Sequence, residues 1–433
     1  TIRRQRQMCI RDSLYIYQLM KIAIISSGFF PVIDGVTVSV FQRLRYLSKS
    51  NHQVLLFCPD YRSLSSIYPN WQKYTGDIFP NIRAINLPST PFMNVEFERN
   101  VSESSYQILL QELQNFQPDI IHVDEPERLW LGFLKRAGID YAKKARIPCV
   151  SFFHTNFIEY FEDYFTLPKW MIKMIQWVAI HHRNWIYHGY DATLVSSQTT
   201  AEKLTKIGLK NIITANLLGV DIAEYNSQNK KVNFFEKAYK ISGIEKKIKW
   251  LFLGRLTPDK GWNFTLNALI QCSDAIDWQH IAIIIAGEGE MKTEIFQKMQ
   301  GLTPHVYLLG RVFPNQIPSL FINSDLYITT SEKETKGLTI LEALAAGIPV
   351  IAPRSGGIID SVQDGYNGLL FAPKNAQDFI QKLKNLSENT TLRQKISAQA
   401  KASIHNGWEE AIENLLNVWQ EIHKTHLSTG QKA

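Results

Sequence analysis

The chain has few cysteines, no long apolar run and little surplus charge, and each scarcity removes a class of answer. Its four cysteines in 433 residues, Cys9, Cys58, Cys149 and Cys272, are scattered, with no CxxC pair and no metal-ligand spacing. That spacing argues against a disulfide framework and a zinc site, and it fits a reducing cytosol. The longest apolar run, Ile281–Ala286, has six residues, far short of the roughly 18 that a bilayer-spanning helix needs. Near the start, no positive end, apolar stretch and small-residue cleavage site follow in order, so no secretory signal is read. The expectation is a soluble chain or one held at a membrane surface.

Charge is nearly balanced. Forty-seven Lys and Arg against forty Asp and Glu give +7, and Arg3, Arg4, Arg6 and Arg11 against Asp12 place +3 of it in the first 19 residues. The +4 left on the other 414 residues is too small to argue for nucleic acid. Those 19 residues, TIRRQRQMCIRDSLYIYQL, show no periodicity and no turn chemistry leading into Met20. Met20-Lys21-Ile22-Ala23-Ile24-Ile25 reads as a natural start and first buried strand. Residues 1–19 are therefore expected to be a non-native or disordered extension; a transit peptide, Arg-rich but poor in serine, is the alternative.

From Met20 onward, short apolar runs alternate with amphipathic stretches. The runs are Ile22–Ile25, Val54–Phe57, Ile120–Val123, Pro148–Phe153, Ala192–Val195 and Ile212–Thr214, then Trp250–Leu253, Ile281–Ala286, Val306–Leu309, Leu326–Ile328, Val350–Ala352 and Gly368–Phe371. Helix-length segments lie between them, Val101–Phe116, Phe264–Ile270, Glu294–Gln300 and Ala376–Leu386 among them. This alternation predicts α/β architecture with parallel sheets covered on both faces. A dozen such strands exceed one ordinary domain. The lysine-rich stretch Ile222–Lys249 divides them and reads as a linker, giving doubly wound domains over 20–225 and 226–407.

Ligands of such sheets sit beyond the carboxyl ends of the strands, and two facing domains put the site in the cleft between them. The unusual residues fall at those ends: Gly28–Val36, His154-Thr155-Asn156, Gly254–Gly261 and Gly287–Glu290. Arg255 and Lys260 flank a Pro258-Asp259 turn, a pairing suited to a pyrophosphate. Ion pairs with nearby carboxylates would account for the same two residues. In Ser331–Ala343, a polar loop runs from a strand into a helix starting near Gly337, whose backbone N–H groups suit phosphate. Glu334 precedes that helix and Glu342 lies inside it; eight positions is a little over two turns, so both carboxylates are expected near one side. His154 on its own reads more readily as a satisfied core histidine than as a functional one, and Asp124-Glu125-Pro126-Glu127 equally as an acceptor-side loop or a solvated acidic one.

Taken together, Gly254-Arg255…Lys260-Gly261, Gly287-Glu288-Gly289, Gly310-Arg311-Val312, Glu334-x7-Glu342 and Ser355-Gly356-Gly357 resemble the retaining nucleotide-sugar glycosyltransferases of family 4. Phe30-Pro31-x3-Gly35-Val36 and Ser151–Phe157 look most like its branch of sulfoquinovosyl-diacylglycerol synthases and lipid-directed mannosyltransferases. The resemblance covers Met20 to the last helix. It implies the GT-B fold, two doubly wound Rossmann-like domains facing a central cleft, with the helix 408–425 crossing back to the first. It also implies roles. His154, Arg255, Lys260 and Glu334 would form the catalytic set, with the two cations neutralising the leaving diphosphate, Glu334 holding the transferred sugar and His154 lying near its anomeric carbon. Glu342 would bind the ribose, the backbone at Arg311 and Val312 the base, and Gly35, Gly287, Gly337, Leu338 and Thr339 would complete the donor site. No cofactor is implied, since the nucleotide-sugar is a substrate. No metal is implied either, and no Asp-x-Asp motif occurs. Two departures stand out: Asp34-Gly35 in place of Gly-Gly, which would mark the acceptor subgroup, and Lys336 inside the phosphate loop.

Leu167–Tyr190 sets Trp170, Trp177 and Trp185 beside Lys169, Lys173 and Arg183 in a helical pattern. Aromatics next to cations suit a helix lying in a membrane interface, whereas Met171, Met174, Ile175 and Val178 would equally serve a core helix. A mixed arrangement is expected, with Phe157–Phe165 and the helix start exposed near lipid. His181, His182 and His188 lack an accompanying carboxylate or cysteine, so no metal is expected there. The expected partners are a nucleotide-sugar, a lipid or glycan acceptor and an anionic membrane surface, with no nucleic acid. The rivals are a transferase for soluble or polysaccharide acceptors and a non-catalytic nucleotide-sugar-binding scaffold.

Overall fold

The computed structural model describes residues 19–92, 95–164, 167–405 and 407–430. Residues 1–18 of the segment read as foreign, and Phe165 of the loop expected near lipid, lie outside the described residues.

In the first half the strands are β1 (Lys21–Ser26), β2 (Gln53–Pro59), β3 (Gly76–Phe79), β4 (Ile82–Leu87), β5 (Ser89–Phe92), β6 (Val95–Val101), β7 (Ile120–Asp124), β8 (Cys149–Phe152), β9 (Ala192–Val195) and β10 (Ile212–Thr214). Eight of them form one sheet in the order β10-β9-β8-β7-β1-β2-β4-β3, and β5 and β6 make a separate antiparallel pair. The sheet is parallel except at its edge, where β3 runs antiparallel to β4. The expectation of parallel sheets thus holds apart from this edge pair. Only Pro80 and Asn81 join the two strands, and so short a link permits only an antiparallel return.

The second half contributes β11 (Ile248–Leu253), β12 (Ile281–Ala286), β13 (Val306–Gly310), β14 (Leu326–Ile328), β15 (Val350–Pro353) and β16 (Gly368–Phe371). They form a wholly parallel sheet in the order β13-β12-β11-β14-β15-β16. The run Ile281–Ala286 is apolar throughout because both its faces are covered. Ala282, Ile284 and Ala286 pack into one core, while Ile281, Ile283 and Ile285 pack into the other. The stretch Ile222–Lys249 carries no strand before β11, but it is anchored: Phe234, Phe235, Ile241 and Ile244 are buried in the core of this half.

The helix expected from Val101 begins instead at Tyr106, because β6 holds Val101 and a short 3-10 turn occupies Glu103–Ser105. The last helix, Trp408–Gly430, packs Trp408, Ala411, Ile412, Leu415, Leu416 and Trp419 into the core of the first half. Strand ends from both sheets face each other, and hydrogen bonds join the halves there. Ser197 and Thr199 donate to the Asp360 carboxylate, and Tyr164 donates to Asp259 at 2.7 Å.

Candidate functional site

Beyond β11 the chain turns through Gly254 and then makes a short 3-10 turn, Pro258–Lys260, that opens the Trp262–Gln271 helix. At the end of β12, Gly287 lies against that turn, and a Cβ there would sit 1.8 Å from the Gly254 carbonyl oxygen. Only glycine permits the two strand ends to approach this closely.

The turn holds both cations in pairs. Arg255 Nη2 lies 3.0 Å from Asp259 Oδ2, and Lys260 Nζ lies 2.6 Å from Glu334 Oε1. Of the two alternatives left open by the sequence, the ion pairs are present: each cation rests on a carboxylate. Burial would raise the Asp259 carboxyl, but Arg255, Lys260 and hydrogen bonds from Thr257 and Tyr164 hold it below its ordinary value. Glu334 behaves alike. Burial pushes it up, and Lys260 together with the Ser331 hydroxyl more than offsets this, leaving it lowered.

Glu334 stands in a loop whose path is set from behind. Gly357 N donates to the Glu334 carbonyl at 2.8 Å, and Ser355 Oγ donates to the Glu332 carbonyl at 2.8 Å. The Ser355-Gly356-Gly357 backbone thus packs directly against this loop. Gly337, at φ +76, caps the Leu338–Ala345 helix, so the first-turn N–H groups at Leu338 and Thr339 lie at the loop's end. Because Ser331–Gly337 is not helical, helical spacing does not relate Glu334 to Glu342. Glu342 lies within the helix, where burial raises its carboxyl to about 7 against the smaller downward pull of the Tyr225 hydroxyl. Lys336 is partly buried and its ammonium is lowered by burial, with Asp360 opposing.

From the first half come His154, Gly35 and two tyrosines. His154, just past β8, is buried and its Nε2 lies 2.6 Å from Asp124 Oδ1. Its carbonyl accepts from the Thr335 hydroxyl, which brings it against the Glu334 loop. A Cβ on Gly35 would lie 3.9 Å from Leu338 Cδ1, so that loop faces the helix start across the cleft. Asp34 serves the backbone. Its Oδ1 accepts from Thr37 N at 2.8 Å and its N donates to Thr37 Oγ1 at 2.9 Å, a capping box on the Gly35–Lys49 helix. Arg311 is exposed and lies 5.2 Å over the Tyr68 ring, while Val312 is buried beside it.

The acidic loop after β7 is not solvated. Asp124 and Glu125 are buried, and Glu125 accepts from Ser27 at 2.5 Å and Thr155 at 2.7 Å. Burial lifts the Glu127 carboxyl to about 7 against a hydrogen bond from Tyr187. Asp259, Tyr160, Tyr164 and Tyr225 escaped sequence reasoning. Tyr160 senses Glu334, Asp259 and Arg255 electrostatically, yet it stands in a Phe157–Tyr160 turn with no motif of its own. Of the three histidines, His181 leans on Trp177, and His182 lies against Trp130 and Trp185.

Two family models match this chain: Glycosyltransferase Family 4 over residues 33–224 and Glycosyl transferases group 1 over 234–403. Together they span 362 of the 433 residues. The chain is a family 4 glycosyltransferase. Among relatives, a GDP-mannose-dependent alpha-mannosyltransferase of Corynebacterium glutamicum is 26% identical, over 81% of this chain and 76% of that protein. A sulfoquinovosyl transferase of Arabidopsis thaliana is 28% identical over 71% of this chain and 58% of its own. An alpha-monoglucosyldiacylglycerol synthase of Streptococcus pneumoniae is 25% identical over 81% and 75%. The family 4 chain shares the GT-B fold of Anabaena HepE, solved with UDP and glucose, at TM-score 0.66 and 20% identity over 94% of this chain and all of that one. Sucrose-phosphate synthase of Thermosynechococcus elongatus superposes at TM-score 0.71 and 15% identity, over 94% and 99%.

Proposed function

We propose that this glycosyltransferase moves a hexosyl unit from a UDP- or GDP-linked sugar to a hydroxyl of a membrane lipid, with retention at the anomeric carbon and without a metal ion. One observation carries the reading: the Thr335 hydroxyl on the His154 carbonyl sets His154 of one half against the loop bearing Glu334, and Glu334 in turn holds Lys260. Arg255 and Lys260 would exchange Asp259 and Glu334 for the donor diphosphate. Glu334, released from Lys260, would then accept from hydroxyls of the transferred sugar, and Glu342 from the ribose. N–H groups at Leu338 and Thr339, beyond Gly337, would meet phosphate, with Gly35 and Gly287 allowing close backbone approach and the Arg311–Val312 backbone meeting the base. The bond from the anomeric carbon to phosphate oxygen breaks, the bond to the acceptor oxygen forms, and the acceptor's proton passes to the departing phosphate. The cations offset charge as it grows on that phosphate.

Within the same proposal the chain sits peripherally on the cytosolic face of a membrane, and two observations support a lipid acceptor and a membrane-surface position. The relatives include an alpha-monoglucosyldiacylglycerol synthase and a sulfoquinovosyl transferase. On the Lys169–Tyr187 helix, Trp170, Met174, Trp177, Val178 and Trp185 are exposed along one side, near Lys169 and Lys173. No helix among the described residues is long and apolar enough to cross a membrane.

The test is a screen of UDP- and GDP-sugars without added metal, reading thermal shift and donor hydrolysis, then transfer to diacylglycerol-containing vesicles. One donor should stabilise the chain, and Arg255→Ala should abolish that response. Folded protein that responds to no donor would refute the reading.

A further inference from the structure

Behind His154 lies a chain of polar side chains that reaches the last helix. The Asp124 side chain at the end of β7 is wholly buried. Arg43, from the Gly35–Lys49 helix, bonds both its oxygens: Nη1 lies 2.9 Å from Oδ2 and Nη2 3.2 Å from Oδ1. Oδ1 also meets His154 Nε2 at 2.6 Å and His122 Nε2 at 3.3 Å. His122 Nδ1 accepts in turn from Trp419 Nε1 at 3.3 Å. The Phe152 ring lies against His154, their centroids 3.9 Å apart, with the Arg43 guanidinium 5.5 Å from its centre.

Donor and acceptor bookkeeping fixes the protons. An indole N–H only donates, so His122 Nδ1 must be the bare nitrogen and its hydrogen sits on Nε2, aimed at Asp124. Burial and the neighbouring Arg43 push that imidazole down to about 4, so the ring is neutral. Burial alone would raise the Asp124 carboxyl, but Arg43 and the two imidazoles hold it well below its ordinary value. Asp124 is therefore an ionised acceptor without a proton to give. His154 Nε2, at 2.6 Å, must supply the hydrogen between them.

We propose that Asp124 is a positioning residue, which fixes the His154 ring with its hydrogen on Nε2 so that Nδ1 offers a lone pair to a hydroxyl of the transferred sugar. The inference rests on the proposed placing of His154 beside that sugar. A ring held by a charge-assisted bond neither flips nor exchanges tautomers as donors come and go. Arg43 fixes the carboxylate from one side, and the His122–Trp419 pair fixes it from another. The last helix thereby helps to aim a residue of the cleft.

The test combines kinetics with histidine-selective 15N NMR on the full chain, the His154 signal being assigned by its loss in His154→Ala. In the unsubstituted protein at pH 7.5, His154 should show a protonated Nε2 and a bare Nδ1. A ring protonated on Nδ1, alone or with Nε2, overturns the proposal whether or not any variant folds. Asp124→Asn should lower kcat about 10- to 100-fold, as when a functional histidine loses its orienting partner, with donor KM changed less than about threefold. Combined with His154→Ala it should add nothing further, whereas a full additional loss means that Asp124 acts elsewhere. If His154→Ala alone leaves kcat unchanged, the placing of His154 falls, and that outcome is distinct from a wrong tautomer.

Discussion

Removing the Lys260 ammonium tests the proposed chemistry most directly. It sits 2.6 Å from Glu334, with both side chains less than one quarter exposed. Lys260→Ala takes away one of two cations that would face the leaving diphosphate. Loss of a single preorganised donor to developing charge costs about 100- to 1,000-fold in kcat, near 3 kcal/mol. A second effect acts before the donor arrives and weakens its binding, because Lys260 there holds the Glu334 carboxyl low against burial. Without the ammonium it rises, and the carboxylate meant for sugar hydroxyls is partly neutralised. A fall of at least about 100-fold is therefore expected at saturating donor. The companion variant Lys260→Ala/Glu334→Gln separates stability from chemistry. The single change leaves a carboxylate without its cation, at about 1 kcal/mol given its partial solvent access, and the second change removes that penalty. Initial rates of nucleotide release and urea unfolding on all three proteins decide the matter. Turnover within about threefold of the parent, or turnover restored by Glu334→Gln, would refute the assigned role.

The Glu342 carboxyl, raised to about 7 by burial, should make donor binding pH-dependent. Ionisation between pH 6 and 8 is expected to tighten donor Kd about tenfold if the carboxylate accepts from ribose. Calorimetry on Glu342→Gln should show weaker binding with a flat profile, and an unchanged slope would mean the ribose lies elsewhere. The same raised value makes the protonated form the stabilising one. Its contribution is complete below about pH 4.5 and is lost as pH climbs through about 7, so Glu342→Gln should flatten the loss of stability over that window. Gly287→Ala would drive a methyl to 1.8 Å from the Gly254 carbonyl at a φ of +147. It should cost at least about 2 kcal/mol in urea unfolding and weaken donor binding, and a change under about 0.5 kcal/mol would contradict the packing described.

Most of the twelve strands read from apolar runs are buried on both faces and so appear as continuous apolar stretches, whereas the edge strands β10 and β13 are only partly covered. β3 to β6 went unseen because they carry a different signature. Ile82–Leu87 reads Ile-Arg-Ala-Ile-Asn-Leu, with Arg83 exposed and Asn86 only partly buried, and β5 contains Pro91. In the site, the cations and glycines were legible because phosphate chemistry demands a narrow set of residues at strand ends. Their partners were not. Asp259 is four residues from Arg255, but its bond to Tyr164 spans 95 positions, and Asp124 meets Arg43 across 81. The Asp124–Arg43 pair arises from sheet order, which brings β7 beside β1 and β8, and the Tyr164–Asp259 pair from the meeting of the two halves. The Ser355-Gly356-Gly357 motif was legible, but its approach to the Glu334 backbone was not, because glycine announces room without saying what fills it.

The last helix also sets an order of events during synthesis. Six of its residues, from Trp408 to Trp419, fill the core of the half that the ribosome makes first. At translation rates of about 5–20 residues per second, roughly 10–40 s separate residue 225 from residue 430. Through that interval the sheet built on β1 has every strand it needs yet lacks a wall, leaving Leu217, Leu218 and their neighbours without their Trp408 and Trp419 cover. The amino-terminal half is begun first and finished last, so a nascent chain stalled before residue 408 would present an open apolar flank to chaperones.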